Sequence, residues 1–230
     1  MPVQRVLSVI TARGGSKRLP QKNLKKLCGQ TLIERTVRAS LGSKNVDQTI
    51  LSSDCSKIIE EALRCGCDVP FTRPSHLATD DTKSEEVLEH AIKNLPIFDW
   101  VLLLQPTSPF RTSEDIDSAF TLLRSLDRNS CVGVTKQQAG VDQRNKTLFS
   151  GDVYPIDCWE NGRVNKKLDE DYALNGSIYL IKISEFLEKR ELVNAKTIGV
   201  AMSAKKGLDI DTFEDFELAS ALMESHNDPS

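Results

Sequence analysis

What most constrains this chain is the alternation of short apolar runs with longer amphipathic ones. Val3–Ile10 reads VQRVLSVI and Trp100–Leu104 reads WVLLL, with almost no polar alternation, as strands buried on both faces require. Similar runs mark strands at Gln48–Ser52, Asp68–Phe71, Ser130–Lys136, Ser177–Ile181 and Lys196–Met202. Helical spacing of apolar residues marks Thr31–Leu41, Cys55–Arg64, Ser84–Asn94, Ser113–Leu126 and Thr212–Ser225. Strands separated by helices of this length need right-handed crossovers, so the expected fold is α/β: three layers, a mainly parallel sheet with helices on both faces. Between about 137 and 172 the periodicity fades and turn residues such as Asn161–Gly162 appear, which reads as an irregular β arm on one domain spanning 1–230.

Composition removes several classes of function. Hydrophobic residues make up 39% and charged ones 27% of the chain, enough apolar surface to bury a core and far from the disordered regime. A net charge of −3 gives no global field for nucleic acid or an anionic membrane, so neither is an expected partner. The chain has no apolar run of about 18 residues, and the expected location is the cytoplasm. The six cysteines lie without C-x-x-C spacing beside only three histidines, so they read as reduced structural thiols rather than zinc ligands.

The first strand runs into ARGGSKRLPQKN, Ala12 to Asn23, at the position where open α/β sheets bind ligands. Arg13, Lys17, Arg18, Lys22, Lys25 and Lys26 place six cations in a stretch with no acid before Glu34. Gly14 and Gly15 permit close approach of the backbone to a phosphate. Arginine grips phosphate oxygens in pairs and lysine acts as a mobile point charge. The loop fits neither the G-x-x-x-x-G-K-[ST] nor the G-x-G-x-x-G pattern, and a solvated basic turn is the bland alternative.

Two later segments carry polar groups to the same edge. In QPTSPFR, Pro106 and Pro109 stiffen a turn that presents Gln105, Thr107 and Ser108; alternatively the turn only starts the next helix, with Thr112 or Ser113 as N-cap. In LDIDT, Asp209 and Asp211 lie two apart, so an extended backbone points both to one face about 6.5–7 Å apart. Magnesium takes such carboxylates together with phosphate oxygens and water. Asp211 with Glu214 also reads as a capping-box pattern for the last helix, which leaves Asp209 unexplained.

R-G-G-S-K-x-x-P-x-K-N, from Arg13 to Asn23, resembles the CTP-binding loop of the acylneuraminate cytidylyltransferases, or CMP-sialic acid synthetases. RPSHLATDDTKS at 73–84 resembles that family's R-P-x-x-L-A-x-D segment, and LLQPTSPFR at 103–111 its L-Q-P-T-S-P-L-R. NGSIYL and GLDIDTFEDF resemble its N-G-x-I-Y and D-I-D-T segments. The order is right and the matches span nearly the whole chain. The resemblance implies a nucleotide-diphospho-sugar transferase-like fold and transfer of CMP from CTP to a nine-carbon acidic sugar, with pyrophosphate released.

It further implies that Arg13, Gly14, Gly15, Ser16, Lys17, Lys22 and Asn23 hold the nucleotide, that Arg73, Ser84, Gln105 and Asn175 meet cytidine or sugar, and that Asp209 and Asp211 bind Mg2+. Arg13, Lys22 and Asp211 become the catalytic residues, and 137–172 a homodimer arm. The chain departs from the family pattern at Arg18, where glycine is usual. It departs again in NKKLDEDYAL before Asn175, where Lys166, Lys167 and Tyr172 replace an arginine and aromatic cluster. Legionaminic, pseudaminic and N-acetylneuraminic acids all stay open as the sugar. The competing readings are transfer to another ulosonic acid or to a sugar or alcohol phosphate, and a non-catalytic nucleotide-binding protein.

Overall fold

Val6–Thr11 forms β1, whose residues alternate between two apolar layers. A single 3-10 turn, Lys22–Leu24, then leads into a tight hairpin of β2 (Lys26–Leu27) and β3 (Gln30–Thr31). The computed structural model describes residues 4–137, 147–156, 159–160, 163–164, 167–168 and 170–225. Helix α1 (Leu32–Leu41) starts where the Thr31 hydroxyl accepts the Glu34 amide at 3.0 Å, a side-chain N-cap. There follow β4 (Gln48–Ser52), α2 (Ser56–Arg64), α3 (Ser84–Asn94), β5 (Trp100–Leu104), α4 (Ser113–Ser125) and β6 (Ser130–Lys136). Short strands β7 (Leu148–Phe149), β8 (Val153–Pro155), β9 (Trp159–Glu160) and β10 (Arg163–Val164) precede the long β11 (Tyr172–Lys182). The chain continues through α5 (Ile183–Lys189), β12 (Ile198–Met202) and α6 (Phe213–Glu224).

The main sheet runs in the order β4-β1-β5-β11-β6-β12-β8, with β7 paired to β11. β1 is parallel to β4 and β5, and β12 is parallel to β6 and β8. β11 lies antiparallel to both β5 and β6. The expected α/β architecture with a mainly parallel sheet is therefore present, with one reversed strand at its centre. Sequence periodicity did not give that reversal, because a strand buried on both faces reads the same in either direction.

Burial follows the period of two. Val6 and Ile10 of β1 and Trp100, Leu102 and Leu104 of β5 pack with α1, α2 and α4 on one face. Leu7, Val9, Val101 and Leu103 pack with α3 and α5 on the other. A third cluster joins Leu19, Leu27 and Leu32 to Ile210, Ala219 and Met223, which seats α6 against the loop after β1.

Several boundaries differ from the sequence reading. The expected strand Asp68–Phe71 reduces to one bridge between Ile50 and Asp68, since Pro70 has no N–H with which to continue the ladder. The expected strand Ser177–Ile181 is the inner part of an 11-residue strand, and Lys196–Met202 begins at Ile198. Helix α5 was not anticipated; it buries Ile183 and Phe186 and ends at Arg190 in the left-handed region, φ 54°. Of the 137–172 arm, β7 to β10 are described, and the Asn161–Gly162 turn lies outside the described residues.

Candidate active site

Because every strand of the main sheet except β11 runs in one direction, the carboxyl ends of β1, β5 and β12 open onto a common edge. The loop after β1, the turn after β5 and the segment before α6 meet there around a cleft of about 530 Å³. Its lining includes Arg13, Ser16, Lys17, Arg18, Lys22 and Asn23 from the first loop, Gln105 and Thr107 from the second, and Asp209 and Asp211 from the third. Lys22 and Asp209, 187 residues apart in the chain by their numbers, thus face one space. Asp80, from the segment between α2 and α3, completes the wall.

Local hydrogen bonds fix these segments. The Asn23 amide donates to the Arg13 carbonyl at 3.1 Å and stitches the first loop across its width, while buried Leu19 anchors its far side. The Ile210 amide donates to the Thr107 carbonyl at 2.8 Å, which ties the aspartate segment to the turn after β5. Helix α6 is capped by a Thr212–Asp215 box, in which Asp215 accepts the Thr212 amide at 2.8 Å and the Asp211 amide at 2.9 Å. The cap expected of Asp211 and Glu214 is therefore made one residue later, and the Asp211 carboxylate is left for the cleft. The turn after β5 does most of both things considered for it: Thr112 caps α4, and Gln105 and Thr107 line the cleft, whereas Ser108 is buried outside its lining.

Within the cleft each of four cations faces a carboxylate. Asp80 holds Arg13 at 2.6 Å and Lys17 at 2.5 Å; the hydrogen bonds from Lys17 and then Arg13 keep its carboxyl below the ordinary range. Asp211 holds Lys22 at 2.9 Å and Arg18 at 3.2 Å. Carboxylate oxygens thus occupy cations of the kind that also bind phosphate oxygens. Of the six loop cations, Lys25 instead lies over the Phe216 ring at 5.5 Å, and exposed Lys26 does not line the cleft.

Arg73 and Ser84 line a smaller pocket of about 250 Å³ that shares Thr11, Arg13 and Asp80 with the main cleft. The Arg73 guanidinium is buried and donates to the Ser52 carbonyl at 2.5 Å and the Ser52 hydroxyl at 3.0 Å. Burial brings its pKa down to about 10, against the opposing charge of Asp54.

The remaining expected residues are placed differently. Gly14 and Gly15 are absent from the cleft lining; the Gly14 amide donates to Asp54 at 2.9 Å, and a Cβ there would meet the Cys55 Cβ at 2.9 Å, so close packing requires this glycine. Asn175 is buried in the fold, where it accepts from the Ser177 amide and hydroxyl and donates to Thr135. Beside it, Gly176 has φ +74° and a built Cβ would lie 2.7 Å from Gln105 Oε1, so glycine lets Gln105 keep its place. Tyr172 is buried among apolar side chains and Lys167 pairs with Asp152 at 2.7 Å; Lys166 lies outside the described residues. Asp80 was missed in the sequence, although it lies within the RPSHLATDDTKS segment.

Two aspartates in a cleft bearing phosphate-type donors are hard oxygen ligands suited to magnesium. The residues fit such an ion. It would share Asp211 with Lys22, whose side chain is 14% exposed, and displace the looser Arg18 at 66%. Among the described residues, Glu34, Glu61 and Cys65 also cluster, but the Arg64 guanidinium donates to all three, and a cation already occupies that centre.

A cytidylyltransferase family model matches residues 7–161. The chain is 33% identical over 228 residues to the CMP-N,N'-diacetyllegionaminic acid synthase of Legionella pneumophila, covering 96% of this chain and 97% of that protein. It is 30% identical over 223 residues to the N-acylneuraminate cytidylyltransferase of Escherichia coli, spanning 53% of that longer protein. Against the pseudaminic acid cytidylyltransferase of Campylobacter jejuni it is 28% identical over 226 residues, with 96% and 97% of the two chains covered. Among solved structures, a CMP:2-keto-3-deoxy-manno-octonic acid synthetase complexed with CTP superposes with TM-score 0.71 at 17% identity, over 97% of this chain and 100% of that one. The last likeness concerns the fold; on the family match and the sequence relatives, the chain belongs to the cytidylyltransferase family.

Proposed function

We propose that this protein activates a nine-carbon acidic sugar, a nonulosonic acid, with CTP, giving the CMP-sugar and pyrophosphate. The observation that carries this reading is the convergence of Arg13, Lys17, Arg18 and Lys22 with Asp209 and Asp211 on one cleft. Three of the relatives act, by their names, on acids of this class.

The anomeric hydroxyl attacks the α-phosphorus of CTP in line, and its bond to the bridging oxygen of pyrophosphate breaks. Such transfers depend on alignment and charge neutralisation more than on covalent help. Arg13 and Lys22 stabilise the departing pyrophosphate. Asp209 and Asp211 would hold Mg2+, which would supply Lewis-acid polarisation of the phosphate and favour loss of the hydroxyl proton. Asp211 is the nearest candidate to accept that proton directly. Arg73, Ser84 and Gln105, around the smaller pocket and the turn after β5, recognise cytidine or sugar. Among the described residues, no helix is long and apolar enough to cross a membrane. Two copies pair through the arm, where Leu148 of β7 is 64% exposed.

Pyrophosphate release measured over nucleotides and nonulosonic, octulosonic and phosphorylated acceptors, with and without Mg2+, tests the reading. Turnover should need CTP, Mg2+ and a nonulosonic acid, and Lys22→Ala should lower it by at least about a hundredfold in a folded chain. Equal turnover without CTP, or near-normal turnover of folded Lys22→Ala, would overturn it. Light scattering on the same preparations should give twice the chain mass.

A further inference from the structure

On the far side of the turn after β5 lies a second cleft, of about 590 Å³, that the proposed reaction does not use. Its charged lining is Arg35 and Arg38 from α1, Arg111 from the turn, and Lys205 from the segment after β12, with no acid in the lining. The contrast with the first cleft is in the partners. Arg111 is 4% exposed; one nitrogen donates to the Gln105 carbonyl at 3.1 Å and the Ser177 carbonyl at 2.8 Å. Its Nε and Nη2 are buried without a hydrogen-bond partner, and so is Arg35 Nε. Asp115, the acid whose charge Arg111 feels, is taken by Lys206 and by the α4 cap. Among the described residues, Lys205 reaches the Leu222 carbonyl, at 3.2 Å, and the face of Phe110. Arg38 pairs with Glu34 on the same helix.

Three buried guanidinium nitrogens without acceptors are a cost that native folds rarely carry, unless an anion meets them. Paired guanidinium donors match the oxygens of a phosphoryl group, and Ser113 stands in the same lining. We propose that this cleft is a second anion site that takes a small phosphate-bearing ligand. The same turn serves both clefts: Gln105 and Thr107 line the first, Pro109 to Ser113 line the second, and Arg111 holds the Gln105 carbonyl between them. A phosphoryl group at Arg111 therefore bears on the segment that shapes the nucleotide cleft.

Inorganic phosphate and pyrophosphate separate a free-phosphate source from the reaction's own product. Each is titrated by calorimetry into the full chain carrying Arg13→Ala and Lys22→Ala, which disables the first cleft. About one equivalent should still bind, and adding Arg35→Gln with Lys205→Gln should weaken it at least about tenfold while the far-ultraviolet circular dichroism is unchanged. Should Arg35→Gln unfold the chain, Arg38→Gln at a side chain 65% exposed replaces it. Tighter binding of pyrophosphate would identify the product as the ligand. No residual binding of either anion, or binding that both sets of substitutions leave intact, would overturn the proposal. Because the readout is direct binding, it stands apart from which sugar the enzyme uses.

Discussion

Asp80 occupies two of the four cleft cations in the ligand-free chain, and a triphosphate must take them from it. Exposed ion pairs contribute little each, but here the competitor sits on the binding groups themselves. Asp80→Asn removes the negative charge while keeping the shape. It is expected to lower KM for CTP about two- to fivefold with kcat little changed, as steady-state kinetics would show. A raised KM would instead make Asp80 a ligand of the nucleotide or its metal. At this scale the sequence carried Arg13, Lys17, Arg18, Lys22, Asp209 and Asp211 plainly, because each lies in a loop at a strand end. It did not carry Asp80, whose effect depends on where a distant loop folds back. Nor did it carry the internal use of Asn175, which rests on the bulge between Leu174 and Tyr179 in β11.

At the scale of elements, the start of α6 separates the capping carboxylate from the one that faces the cleft. Asp215 satisfies the first amides of the helix, whereas Asp211 faces Lys22 and Arg18. Asp215→Ala should destabilise the fold by about 1 kcal/mol in denaturant unfolding. Asp211→Asn should leave that midpoint nearly unchanged and abolish most turnover. The reverse pattern would return the cap to Asp211. Helix and strand positions were mostly readable, with Gln48–Ser52, Ser84–Asn94, Trp100–Leu104 and Ser130–Lys136 matching residue for residue. Their apolar periods are long enough to be unambiguous. The seven-residue α5 was hidden because two turns give too short a period.

For the whole molecule, the α/β class and the family expected from the motifs are both borne out, since strand-helix alternation and ordered motifs are properties of the entire chain. Global stability should respond to pH through His90 in α3. Its ring meets Phe71 edge-on at 4.7 Å, and its Nδ1 is buried without a hydrogen-bond partner. Burial, then the charges of Arg73, His76 and Lys93, lowers its pKa. The native state therefore binds fewer protons there than the unfolded chain. Its contribution is present above the unfolded value of about 6.5 and is lost as pH falls through the lowered one. Chemical denaturation across that window should show stability declining with acidity, and His90→Phe should make the slope shallower.

The pairing of every cleft cation with an internal acid also changes what kind of event nucleotide capture is. A bare basic groove would gather CTP from a distance and lose it steeply as salt rises. On the proposed reading capture would be an exchange, in which the ligand replaces counter-ions that the protein carries on its own chain. The encounter gains little long-range pull, and discrimination falls to the fit of the bound nucleotide once the acids have let go.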